Sequence, residues 1–191
     1  LALLHKERGD TEKSVRWFKK AGRAGDADAM VRVAIGYLKN GELHPAIDWY
    51  SDAIEAGIRD PRISTTLRLL INAAQGDAVA MEELGRVYDG FGLADLSIIW
   101  LRKSAGLGNL DAIHNLGIAY EKLGKMTEAL NCYTDATARG HAQSLTGVMR
   151  ILNGVDQFGA WLTDELGKDN PVAREFVREF REDGHRSSSS D

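Results

Sequence analysis

The sequence repeats itself, and each repeat closes at a glycine. Gly25, Gly57, Gly108 and Gly140 each end a segment that contains alanine and bulky residues, and Gly76 ends a shortened one. The usual spacing is 32 residues, as from Gly25 to Gly57. A period of this length is typical of architectures in which each unit stacks on its neighbours. The sequence therefore predicts an all-α helical solenoid, not a catalytic fold.

The segment before each glycine has small and bulky residues at fixed places. A small residue stands four positions before the glycine. A bulky pair lies three and four positions before that small residue, which puts the small and the bulky residues on one helical face. Small residues let helices approach, and large ones fill the gaps between them. The glycine stands where a left-handed C-cap is expected. The small residues are Ala21, Ala53, Ser104 and Ala136, and the bulky pairs begin at Trp17, Trp49, Trp100 and Cys132.

A second helix signal precedes this B helix in each repeat. The A helix is predicted over 29–37, 80–88 and 112–120, each of which begins with alanine and ends with tyrosine. Glycine inside a helix costs about 1 kcal/mol relative to alanine. Gly85 and Gly117 are therefore expected to mark the close approach of a neighbouring helix.

One stretch carries a more specific pattern, formed by Leu84-Gly85, Tyr88, Gly90, Gly92-Leu93, Asp95 and Trp100. This pattern resembles the Sel-one-like repeats, a branch of the tetratricopeptide superfamily. The resemblance covers roughly residues 1–154 and implies a right-handed α-α superhelix of antiparallel helix pairs, whose A helices line a concave, partner-binding face. Family members with this role act as adaptors.

Departures from the period suggest five segments. Leu1-Ala2 aligns with the Leu-Gly of an A helix, so 1–57 is expected to hold repeat pairs of a longer array with the first helix truncated. The interval 58–76 has room for one helix, with Asp60 as N-cap and Pro61 at the first position; a bend, a lone helix and a degenerate repeat stay open. Repeat pairs return over 77–154.

The C-terminal end departs from the repeat. Capping helices are expected over 155–183, where an apolar stripe is formed by Val172, Phe176, Val177 and Phe180. A disordered tail is expected over 184–191.

The net charge, the apolar runs and the cysteine count limit which functions and locations are expected for the chain. A net charge of −4 over 191 residues gives no general attraction to nucleic acid or anionic lipid. The chain has no run of 18 apolar residues, so no membrane insertion is expected. Cys132 is the only cysteine, which tilts the expected location toward the cytoplasm, although an upstream targeting segment stays open.

The sequence supplies no convergent catalytic set. No histidine lies at i, i+4 from another histidine or from cysteine, so neither metal nor cofactor is expected. Cys132 aligns with the tryptophan positions and is expected to be an inert buried thiol. Glu82-Glu83 is expected on a solvated helix face, and the tryptophans are expected to be core residues. The histidines are His5, His44, His114, His141 and His185.

The resemblance also implies which side chains face the groove. Their mixed charge and modest apolar content suit an extended peptide or a partner helix. Arg86 and Arg150 could bind acidic partner residues or join exposed intrachain ion pairs. His114 invites a pH-switch interpretation, with a simple groove-lining histidine as the plainer expectation. The candidates are Val31, Ile35, Glu82, Arg86, Asp89, His114, Ile118, Glu121, Thr146, Arg150 and Asn153.

The sequence thus predicts a non-enzymatic scaffold that recognises another protein through this groove. The alternative is a regulatory or substrate-presenting region of a larger enzyme or signalling protein. Recognition of nucleic acid by helical repeats is disfavoured by the acidic balance.

Overall fold

The computed structural model describes residues 11–152 and 155–187, and this part of the chain is all-α, with eleven helices and no strand. The helices are α1 (Thr11–Arg23), α2 (Ala27–Lys39), α3 (Leu43–Glu55), α4 (Pro61–Ala74), α5 (Ala78–Gly90), α6 (Ala94–Gly106), α7 (Leu110–Lys122), α8 (Met126–Ala138), α9 (Ser144–Leu152), α10 (Val155–Gly167) and α11 (Pro171–Ser187).

The all-α helical-repeat class expected from the sequence is confirmed. The predicted A helices are α2, α5, α7 and α9, and the predicted B helices are α1, α3, α6 and α8. The truncated helix expected at Leu1 lies outside the described residues.

The chain divides into two compact units, Leu1–Trp100 and Leu101–Asp191, with the boundary inside α6. In the N-terminal unit each helix from α1 to α4 packs on the next, up to α5. In the C-terminal unit α7 packs on α8, α8 on α9, and α9 on α10, while α11 packs on both α10 and α8. Contacts between consecutive elements are what a repeat architecture requires.

The closing glycines adopt the left-handed conformation that the sequence predicts. Their φ angles lie between 88° and 96°, a region that glycine reaches without a side-chain penalty. Gly41, Gly92 and Gly124, which follow A helices, are also left-handed. Because Gly41 stands 16 residues after Gly25, the 32-residue period contains two successive helix-and-turn modules of equal length.

The residue after the closing glycine caps the next A helix. The carboxylates of Asp26 and Asp77 accept hydrogen bonds from the backbone N–H of Ala29 and Ala80, at 2.9 and 3.1 Å. Asn109 does the same for α7, with its Oδ1 at 3.1 Å from the N–H of Ala112. Each contact satisfies a donor that has no partner within the helix.

The interval between Gly57 and Gly76 contains the single helix α4. Asp60 is its N-cap, with Oδ1 3.0 Å from the backbone N–H of Arg62, and Pro61 occupies the first helical position, as expected. Leu69 and Leu70 of α4 are fully buried in the core of the N-terminal unit. The helix is therefore an integral layer of that core.

The tryptophan positions are not equally buried, which corrects the expectation that they form one core row. Trp100 is buried and Trp49 half-buried, but Trp17 is 37% exposed. The neighbouring tyrosine position is the more consistent core residue, since Tyr50 and Tyr133 are both fully buried.

The end of the described chain forms two further helices. Val172 of α11 is buried, and Phe176 and Val177 are half-buried, so three members of the predicted apolar stripe are at least partly covered; the Phe180 side chain lies outside the described residues. Helix α11 continues to Ser187, beyond the end at residue 183 that the sequence predicts. Residues 188–191 lie outside the described chain.

Candidate functional site

The groove candidates of the N-terminal unit offer little free surface. Val31 and Ile35 on α2 are half-buried and pack against the core cluster. Glu82 on α5 is only 7% exposed, so the expectation of a solvated face is wrong for this residue. Arg86 is exposed, with its Nε 4.0 Å from Glu82 Oε1, and Asp89 is half-buried. An ion pair of this length on an exposed arginine contributes little to stability.

The candidates of the C-terminal unit are joined across two A helices. Arg150 of α9 donates from Nε to Glu121 Oε1 of α7 at 2.8 Å and from Nη2 to Oε2 at 2.6 Å. Paired contacts of this kind fix both side chains. The hydrogen bond from Arg150 is the main reason that the pKa of Glu121 is lowered. Of the two alternatives for Arg150, the intrachain ion pair is present.

Tyr133 connects this ion pair to the interior. Its hydroxyl donates to Glu121 Oε2 at 2.9 Å. Its ring lies between two glycines, since a Cβ built on Gly117 of α7 or on Gly147 of α9 would be 2.6 Å from ring carbons. The predicted close approach at Gly117 is confirmed. Burial, followed by the hydrogen bond to Glu121, raises the pKa of Tyr133, so the hydroxyl stays a donor.

Two histidines that the sequence treats as separate meet at the start of α9. The ring centroids of His114 and His141 are 5.0 Å apart, and Ser144 Oγ is 3.0 Å from His114 Nδ1 and 2.7 Å from His141 Nδ1. His141 Nε2 lies 3.1 Å from Asp111 Oδ1. One signal was available: His141 follows Gly140 at the place where other repeats carry Asp26, Asp77 or Asn109.

Asp111, His141 and Ser144 are hydrogen-bonded in the same order as the residues of a catalytic triad. Such a triad can act only if a substrate can reach the serine hydroxyl. A serine nucleophile must reach a substrate carbonyl. Ser144 is 0% exposed, and its hydroxyl contacts a second imidazole. The arrangement therefore fits a structural hydrogen-bond chain. Among the residues that the structure describes, no three His, Cys, Asp or Glu side chains are placed to hold a metal ion.

Two of the three remaining candidates lie on the same two helices. Ile118 of α7 is half-buried, and Thr146 of α9 is exposed with its hydroxyl donating to the carbonyl of Gln143 at 2.7 Å. Asn153 lies outside the described residues. The structure thus brings His114, Glu121 and Arg150 into polar networks that link α7 to α9.

Cys132 is expected to react slowly with alkylating agents. It is half-buried, and burial raises the pKa of its thiol to about 11. Because the thiolate is the reactive form, its fraction at pH 7.5 should be at least about a hundredfold below that of free cysteine. Alkylation by iodoacetamide, followed by mass spectrometry, measures this. A rate equal to that in the urea-unfolded chain would contradict it.

One protein family matches a part of this chain. Residues 112–141, which comprise nearly all of α7 and α8, match the tetratricopeptide repeat. No curated protein matches the chain by sequence. A bilayer-spanning helix is not found among residues 11–152 and 155–187.

Several solved structures are similar in fold at low identity. MamA is 18% identical, with 95% of this chain and 97% of that chain covered and a TM-score of 0.42. A protective antigen of uropathogenic Escherichia coli with an SLR fold is 21% identical, with 88% and 44% covered and a TM-score of 0.45. A Sel1 repeat protein from Oxalobacter formigenes is 19% identical, with 85% and 65% covered and a TM-score of 0.41. Residues 112–141 therefore match the tetratricopeptide repeat, and the described part of the chain around them is an all-α array of helices.

Proposed function

We propose that this chain is a non-enzymatic scaffold that binds a protein or peptide through the face of its A helices, centred in the C-terminal unit on α7 and α9. Helical repeats of this class commonly serve as protein-interaction scaffolds. The observation that carries the proposal is the pair Glu121–Arg150, which fixes two opposite charges across adjacent A helices.

A fixed ion pair suits recognition because its side chains are already ordered. The Arg150 side chain remains 56% exposed although both of its contacts to Glu121 are short. Ordering a long side chain on binding costs about 0.5–1.5 kcal/mol, and here that cost is already met within the fold. Arg150 retains unused N–H donors, and Glu121 keeps partial exposure, so a partner can add hydrogen bonds to both.

The neighbourhood of this pair favours a polypeptide as the partner. Half-buried Ile118 supplies apolar contact, and exposed Thr146 supplies a hydroxyl. Opposite charges side by side match the alternating chemistry of a peptide better than the uniform charge of a polyanion. The net charge of −4 also gives no general attraction to nucleic acid. A single unpaired cysteine is ordinary in the cytoplasm, where we place the proposed function.

The test compares the two groups of A-helix candidates. Pull-downs from native lysate use the wild-type chain, Arg86→Ala for the N-terminal unit, and Glu121→Ala with Arg150→Ala for the C-terminal unit. Removing both charges together leaves no orphaned ion. The matched control changes Glu128 and Asn131, exposed residues of the B helix α8, to alanine.

We expect one partner to bind both the wild-type chain and the control. The α7–α9 variant should recover about tenfold less of it, which corresponds to a loss of roughly 1.4 kcal/mol of binding free energy. Circular dichroism must first show that all variants remain helical. A partner retained equally by every variant would place binding elsewhere, and the absence of any partner would contradict the scaffold proposal.

A further inference from the structure

The start of α9 is held by side chains in place of the usual Asp or Asn cap. His141, from the turn before α9, and His114, from α7, both contact the buried hydroxyl of Ser144. His141 is tied in turn to Asp111 of α7, with only 11% of its own side chain exposed. These four residues, hereafter the histidine chain, join the first turn of α9 to α7.

When both imidazoles are neutral, each hydrogen bond of the histidine chain has a defined donor and a defined acceptor. A carboxylate only accepts, so His141 Nε2 must donate to Asp111. In a neutral imidazole the other nitrogen then accepts, and Ser144 must donate its hydroxyl proton to His141 Nδ1. The serine oxygen can therefore accept from His114, which must carry its proton on Nδ1. In this arrangement every hydrogen-bonding proton of the histidine chain has an acceptor.

One added proton can be accommodated by reversing the order of donors. His141 Nδ1 then donates to Ser144 Oγ, and the serine donates to His114 Nδ1, while His114 carries its own proton on Nε2. A second proton cannot be accommodated, because both Nδ1 atoms then donate to Ser144 Oγ and neither imidazole can accept the serine proton. Since Ser144 is fully buried, this conflict costs free energy, and we expect one of the contacts to open.

An added proton on His114 is opposed by its surroundings. Burial is the first cause that lowers the pKa of His114, and the charges of His141 and Arg150 lower it further, while Asp111 raises it. From α8 the ring meets Tyr133, whose hydroxyl is committed to Glu121. Glu175 and Glu179 on α11 border the groove that Ala142 and Leu145, close to Ser144 in sequence, also line.

We propose that Asp111, His141, Ser144 and His114 form a pH-sensitive latch, which holds the first turn of α9 against α7 at neutral pH and releases it on acidification. The latch stands independently of the proposed partner, because it concerns contacts within the chain. If the proposed function is right, acidification also disturbs the helix that carries Arg150.

The pH window follows from the lowered pKa of His114. The unfolded chain binds a proton near pH 6.5, and the folded chain binds it only at lower pH. The stability contributed by neutral His114 is therefore present in full above about pH 6.5 and is lost as the pH falls from there through the folded pKa. Release is therefore expected as the pH falls below about 6.5.

The direct test is the tautomeric state of the two imidazoles in the wild-type chain. Long-range nitrogen–proton spectra at pH 7.5 should show His114 protonated on Nδ1 and His141 protonated on Nε2. His44, exposed on α3, serves as the internal reference for an unconstrained histidine. Finding His114 protonated on Nε2 would overturn the assigned direction and with it the latch.

Hydrogen exchange then tests release. Protection of the α9 amides, corrected for intrinsic exchange, should fall about tenfold between pH 7.5 and pH 5, whereas protection of α3 amides should not. In Ser144→Ala, α9 protection should be low at both pH values and nearly flat between them. His44→Gln, as control, should behave as wild type. Unchanged α9 protection in wild type, or an equal fall in Ser144→Ala, would overturn the latch even if the tautomers are as expected.

Discussion

Replacing Gly147 by alanine should lower the free energy of unfolding by about 2 kcal/mol, although alanine is the better helix former. The added Cβ would lie 2.6 to 2.7 Å from three ring carbons of Tyr133. A tyrosine ring is rigid, so the contact can be relieved only by moving the whole side chain or the helix backbone. Overpacking of this kind typically costs 1–3 kcal/mol.

The Tyr133 side chain is restrained on its other side as well. Its opposite ring edge lies against Gly117, where a Cβ would also be 2.6 Å away, and its hydroxyl is held by Glu121. Displacing the ring from Gly147 therefore pushes it into α7 and strains the contact with Glu121. We expect the loss of stability to be accompanied by weaker coupling between α7 and α9.

Gly159→Ala is the matched control. Gly159 lies within α10, in the same unit, and a Cβ there meets nothing within 4 Å. Alanine should be neutral or stabilising there by up to about 1 kcal/mol. Urea unfolding followed by circular dichroism measures both variants. Equal stability of Gly147→Ala and Gly159→Ala would show that the ring does not hold α7 and α9 at the observed separation.

The helix pairs could be predicted from the sequence because their signals are local. A closing glycine, a small residue four positions before it and a capping Asp or Asn after it each act within one turn of chain. Asp26, Asp77 and Asn109 cap the helices that follow them for this reason. Such signals fix where a helix begins and ends, and the repeat then predicts which helices are neighbours.

The polar networks could not be predicted in the same way because they depend on tertiary distance. Whether Arg150 is free or paired depends on the separation of α7 from α9, which the small glycines at 117 and 147 set jointly. Glu82 is buried although the pattern around it is polar, since burial depends on which neighbour covers the helix face. His141 gave a partial signal by breaking the capping pattern.

The B-helix tyrosine links the fold to the candidate surface. Tyr133 is buried as a core residue, yet its hydroxyl emerges beside Arg150, with Nη2 at 3.5 Å. A change in core packing at the two glycines is thereby transmitted to the charges that would meet a partner. Stability and recognition are therefore expected to be coupled in the C-terminal unit.

The second large effect is expected at the start of α11, where Asn170→Ala should destabilise the chain by about 3 kcal/mol. Asn170 is 2% exposed and caps α11, with Oδ1 at 3.0 and 3.2 Å from the N–H groups of Val172 and Ala173. Its Nδ2 also donates to Glu165 at 2.7 Å. Glu165 is itself 2% exposed, so alanine removes a cap and one of the partners of a buried carboxylate.

Two further variants separate these contributions in urea unfolding. Asp26→Ala removes a cap that supports no buried charge and should cost only about 1 kcal/mol. Asn170→Asp keeps the cap oxygen but sets a second carboxylate against Glu165, so it should be destabilising at pH 7. Because protonating either carboxyl removes the repulsion in the folded chain, part of that loss should return as the pH falls toward 5. Equal losses for Asn170→Ala and Asp26→Ala, with no recovery of Asn170→Asp at low pH, would show that the cap alone stabilises α11 and that Glu165 does not depend on Asn170.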